Sequence, residues 1–190
     1  YFALHSENTG GDNTVVGRQA CANQQGASGN TAMGYRALYT NTSGIQNVGV
    51  GNSALLSNTT GERNVAIGWR VADANTTGSR NTAVGDHALS ANTTGNYNVC
   101  MGSSSLAQNT TASNNTALGY EALLANTTGA GNVAVGKEAL YSNTTAANNT
   151  AVGLAALYAN TTGAQNTAVG RFSLDANTTA SANSAFGNAA

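Results

Sequence analysis

Few residues in this chain have the type and spacing for chemistry. Glu121 and Glu138 stand seventeen residues apart, with Lys137 beside the second. Two carboxylates brought to about 5 Å would have the separation of a retaining glycosidase pair, but the adjoining lysine suits a solvated corner better. His5 and His87 are far apart in sequence. No nucleophile–base constellation, phosphate-cradling glycine loop after a strand or calcium-binding Asp repeat is present. The expectation is a non-enzyme that uses no cofactor and no metal. Cys21 and Cys100 read as small buried hydrophobes, because a stack would hold them about 20 Å apart, beyond disulfide reach. The remaining chemistry is modification. Asn41, Asn58, Asn75, Asn92, Asn109, Asn126, Asn143, Asn160 and Asn177 each begin Asn-Thr-Thr or Asn-Thr-Ser, the N-glycosylation acceptor pattern. Asn114 and Asn148 fit it too. The competing reading is structural: stacked Asn ladders whose amides bond coil to coil.

That recurrence every seventeen residues governs the whole sequence. Asn-Thr-Ala-Val-Gly, at 149–153, returns in variant form at Asn13, Asn30, Asn47, Asn64, Asn81, Asn98, Asn115, Asn132, Asn166 and Asn183, with no insertion. A fixed period is the signature of a repeat architecture, in which each unit contacts mainly its neighbours. With the Asn as position 1, residues 1–190 form a single array: a partial unit 1–12, ten full units over 13–182 and a partial unit 183–190. The consensus is Asn, Thr/Val, Ala, Val, Gly, two variable residues, Ala, Leu, one variable, Ala/Ser, Asn, Thr, Thr, Gly/Ala and two variable.

Position 4 is always a hydrophobe and position 9 is nearly always Leu, so these two columns are the expected core. Val84, Leu89, Val135, Leu140, Val152, Leu157, Val169 and Leu174 represent it. All seven Arg and Lys fall at positions 6, 7 or 17, which marks the corners. Positions 1–5 read as a strand with the even members inward, and positions 8–14 as the return. A helical return, as in Tyr120-Glu-Ala-Leu-Leu-Ala-Asn126, is the rival, but units with a helix need about 20 residues or more. Asn-Gly, the strongest short hairpin signal, never occurs. The fold class expected is therefore all-β: a parallel β-solenoid or β-roll of about 11 coils. Each coil buries little, so an oligomer is expected, associating through the small residues at positions 3, 5 and 8. The two ends carry no polar capping unit, which suggests head-to-tail stacking or a segment of a longer array.

Composition narrows the function class. Charged residues make up 8% of the chain and the net charge is −1, which leaves no electrostatic footprint for nucleic acid. No stretch reaches the roughly 20 apolar residues of a membrane span. Aromatic residues gather at corners: Tyr1, Tyr35, Trp69 and Tyr120 at position 6, with Tyr39, Tyr141 and Tyr158 at position 10. Such rings cover corners or offer a surface for glycans. Adjacent Thr at positions 13 and 14 point to opposite faces, which spoils an ice-binding plane.

The Asn-Thr-Ala-Val-Gly pentad, two variable residues and Ala resemble the head repeats of YadA-like trimeric autotransporter adhesins. They also resemble the Asn-Thr-Ala-Val-Gly arrays of phage tail-fibre-like and large bacterial surface proteins. The resemblance runs from Tyr1 to Ala190, with a unit about three residues longer than the adhesin repeat. It implies a parallel β-roll of associated chains displayed outside the cell: a structural rod or filament of a surface fibre, adhesin head or tail-fibre shaft. The alternative is a ligand-binding surface, for glycan or ice, on the same rod.

Overall fold

A computed structural model describes Ala3 and residues 10–190, so the expectations placed on Tyr1 and His5 lie outside the described residues. Each unit contributes one three-residue strand, from Thr14–Val16 in the first full unit to Ser184–Phe186 in the last. β-Branched residues at positions 2 and 4 favour the extended backbone. The eleven strands form one parallel sheet in sequence order, with every residue paired to its counterpart seventeen later, as in Thr116↔Val133 and Leu118↔Val135. The chain is thus a β-solenoid of stacked coils, as the period requires.

Glycine ends each strand for two reasons at once. At Gly119 the backbone takes φ +140°, and an added Cβ would lie 2.5 Å from the carbonyl oxygen of Gly136 in the next coil. Neither is open to an L side chain. Position 15 differs. Glycines there, such as Gly95 and Gly129, are absent from the left-handed region, and Ala27, Ala112 and Ala146 occupy the same position buried.

The return segment is a turn, and no helix occurs among the described residues. Its residues at positions 7 and 9 are left-handed, as at Glu121 (φ 54°) and Leu123 (φ 55°), and so is position 17, as at Asn114 (φ 63°). Single left-handed residues alternating with others cannot propagate a right-handed helix, which removes the helical rival. A left-handed Leu costs about 1–2 kcal/mol, while burying its side chain returns about 1.5–3 kcal/mol. Position 9 tolerates the conformation because it is the column that fills the core.

The interior corrects the sequence reading in one respect. Leu89, Leu140 and Leu157 are fully buried, and Leu174 packs against the same cluster. Val84, Val135, Val152 and Val169 are not core: each is only half-buried, on the outer side of the sheet. It is position 3 that points inward, with Ala83, Ala117, Ala134 and Ala151 buried, opposite the buried Ala88, Ala122 and Ala139 of position 8. The expected small-residue association face is therefore internal. The reason is room. A Cβ built on Gly49, the position-3 residue of its coil, lies 3.3 Å from Cγ of Leu38 in the preceding coil, so a Leu at position 9 leaves space for little beyond a methyl group at position 3 of the coil that follows.

This assignment makes two leucines five residues apart unequal. Leu123→Ala is expected to destabilise the chain by about 2–4 kcal/mol. Leu118→Ala, at half-buried position 4, is expected to cost less than about 1 kcal/mol when melted under dissociating dilution. Equal losses would place both columns inside.

Candidate functional site

The other half of the interior is polar. Asn at position 1 accepts the backbone N–H of the next Asn in its column, as Asn132 N donates to Asn115 Oδ1 at 2.9 Å. Asn at position 12 forms a second ladder: Asn126 Nδ2 donates to Asn109 Oδ1 at 3.0 Å, and Asn143 Nδ2 donates to Asn126 Oδ1 at 3.0 Å. Both columns also hold the position-15 carbonyl of their own coil. The oxygen of Gly129 accepts Asn115 Nδ2 and Asn126 Nδ2, each at 3.0 Å. A buried carbonyl with no solvent is thereby satisfied twice.

These ladders take up the sequence-predicted acceptor sites. Asn41, Asn58, Asn75, Asn92, Asn109, Asn126, Asn143 and Asn160 are buried, and Asn177 is half-buried with its amide donating to Asn160 Oδ1 and the Ala180 carbonyl. In the folded coil the amide nitrogens of this column point into the stack. Asn114 and Asn148, by contrast, stand exposed at the position-17 corner.

The thiols behave as the sequence suggests. Cys21 and Cys100 are free and buried, and burial pushes both up to about 12. Glu121 and Glu138 are half-buried in adjacent coils. Lys137 Nζ lies 3.2 Å from Glu138 Oε1, and Glu121, as a hydrogen-bond acceptor, raises the pKa of Tyr120. The two Thr columns separate as expected. Position 13 is half-buried, with Thr127 Oγ1 donating to the Thr144 carbonyl at 3.1 Å, while position 14 is exposed.

What the sequence reading missed is the outward face of the sheet. Positions 2 and 4 form two adjacent columns along eleven strands, about 48 Å at the usual strand spacing. Position 2 is Thr, Val or Ser and position 4 is Val, Met, Ile, Leu or Phe throughout. Val16 is 56% exposed and Met101 49%. No other surface column is apolar in every coil, since the corners mix charges, aromatics and small residues. A long contiguous apolar strip on one face of a sheet is the kind of exposure that interaction surfaces show. One signal for it was present in the sequence: position 4 is hydrophobic but varies in volume from Val to Phe, whereas the enclosed positions 3 and 8 are Ala, Gly, Ser or Cys in every coil but those of Val15 and Val71.

No family model, curated protein or solved structure matches this chain.

Proposed function

We propose that the chain is a structural rod of an extracellular fibre, built by coil stacking and completed by association of copies through the outward face of the sheet. The observation that carries this reading is the apolar column at position 4, which continues through all eleven strands with a β-branched or Ser column beside it. In-register side chains on a regular sheet present the same relief at every coil, so a second identical face can meet them along their whole length. The extracellular placement comes from the resemblance of the repeat to surface-adhesin and tail-fibre arrays. The low charge and the polar Asn ladders suit a passive shaft, in which each coil bonds only to the coils above and below.

Sedimentation equilibrium tests it. At micromolar concentration the wild-type chain is expected to run at a multiple of its 18.9 kDa mass. A variant with Val84→Glu, Leu118→Glu and Val152→Glu places three charges on the face and none in the core. It is expected to run as a monomer with the same circular dichroism spectrum. A wild-type chain that stays monomeric at tens of micromolar would overturn the association.

A further inference from the structure

The corner opposite this regularity is where single coils depart from the repeat. Two separate cavities lie between position 7 and positions 10 and 11. The first, of about 440 Å³, spans the coils around residue 73 and is lined by Leu56, Ser57, Arg70, Asp73, His87 and Ser90, among others. The second, of about 220 Å³, is lined by Glu138, Ala155, Tyr158, Phe172 and Asp175. Asp73 and Asp175 are the only acidic residues at position 10 in the chain, and each lines one of the two cavities. Six coils separate them, about 29 Å along the axis.

The first cavity is assembled with some care. Its coil exchanges the usual Ala-Leu of positions 8 and 9 for Val71-Ala72, both buried. Asp73 is the only buried charged residue among the described residues. Its Oδ2 accepts Arg70 Nε at 2.8 Å, while Oδ1 has no protein partner among the described residues. Trp69, 48% exposed, adjoins two of the lining residues, with the His87 ring edge-on at 4.5 Å and the Arg70 guanidinium 5.8 Å from its centroid. The second cavity repeats the theme: Arg171 lies 4.4 Å from the Phe172 centroid, and Tyr158 stacks on Tyr141 at 5.0 Å.

We infer that the two cavities are saccharide-binding sites, with a sugar ring held at the Asp73 cavity and a second at the Asp175 cavity. A hexose presents vicinal hydroxyls that both donate and accept, and a ring face of C–H groups. The Asp73 carboxylate accepts from such hydroxyls. The free Nη groups of Arg70 donate, and Ser57 Oγ, which makes no protein hydrogen bond among the described residues, does either. Trp69 and His87 supply the apolar ring surface, the usual division between a few placed polar groups and an aromatic wall. A linear glycan lying along the rod reaches both sites, so occupancy of one raises the effective concentration at the other. These sites do not involve the outward face of the sheet, and they bind whether or not rods associate.

Trp69 is the only tryptophan, so its fluorescence reports the first site through its contacts with His87 and Arg70. The wild-type protein is titrated with glucose, galactose, mannose and N-acetylglucosamine, and with cellohexaose, chitohexaose and mannohexaose. At least one series is expected to give a saturable change, with dissociation constants of about 1 mM for the monosaccharide and tighter binding for the hexamer. Asp73→Asn is expected to weaken both by about tenfold, and Ser57→Ala, which leaves the Arg70 pair intact, by several-fold. Asp175→Asn is expected to weaken the hexamer only. No saturable change with any of these sugars, or unaltered binding in both Asp73→Asn and Ser57→Ala, would overturn the inference.

Discussion

Gly119→Ala is expected to destabilise the rod by on the order of 3 kcal/mol and to lower its melting temperature by roughly 6–12 °C. Two separate insults produce this. The φ of +140° lies outside what an L side chain adopts, and the new methyl would meet the Gly136 carbonyl oxygen at 2.5 Å. That oxygen belongs to backbone in the next coil, so relief demands that two coils part. Gly129→Ala is the matched control. It sits at position 15, outside the left-handed region, and the neighbouring coils bury Ala112 and Ala146 there. A Cβ there also meets a backbone oxygen, that of Ala146, but it carries no φ penalty and the coils at Ala112 and Ala146 already accommodate that methyl, so a loss clearly smaller than that of Gly119→Ala is expected. Thermal melts of both variants decide the point, and equal losses would contradict the different roles given to the two glycine columns.

Asn126→Asp is expected to lose about 3–5 kcal/mol at neutral pH. Asn126 is buried, donates to Asn109 Oδ1 and the Gly129 carbonyl, and accepts from Asn143. A carboxylate keeps the acceptor role but faces two oxygens where two N–H groups had been. Burial and those oxygens disfavour the charged form, so its pKa in the folded chain rises above the unfolded value of about 3.9. The folded state then binds the proton more tightly. Stability is greatest below the unfolded pKa and falls as pH rises through the folded one. Urea melts at pH 4 and pH 7 should therefore diverge for Asn126→Asp. Asn126→Ala, with no titrating group, should lose about 2–3 kcal/mol at both. A pH-independent Asn126→Asp would mean that the ladder is open to solvent.

Much of this architecture was legible in the sequence because the period is exact in spacing. Seventeen residues between Asn115 and Asn132 fix the register of Thr116 on Val133, and the missing Asn-Gly turns pointed to parallel coils. Leu123 and its column were recognisable as core, and the Asn columns as ladders. The side on which Val152 lies was not. A three-residue strand alternates only once, so in–out–in and out–in–out patterns both place a hydrophobe and a small residue on opposite faces. Hydrophobicity favoured Val inside, whereas a Leu of the preceding coil, as Leu38 beside Gly49, leaves position 3 room for little beyond alanine size, as at Ala151. Volume settles the choice. The Asp73 cavity was hidden for another reason: Trp69, Arg70 and Asp73 share one coil, but only the stacking of the neighbouring coils brings Ser57, His87 and Ser90 beside them.

The central claim is that stacked coils make a rod whose sheet face is covered by another copy. Cryo-electron microscopy of the wild-type protein at micromolar concentration tests it most directly. The expected image is of rods with one coil per approximately 4.8 Å, lying side by side with the Val84, Leu118 and Val152 column of one against that of its neighbour. Single rods with that column facing solvent, or rods joined through their corners, would contradict it.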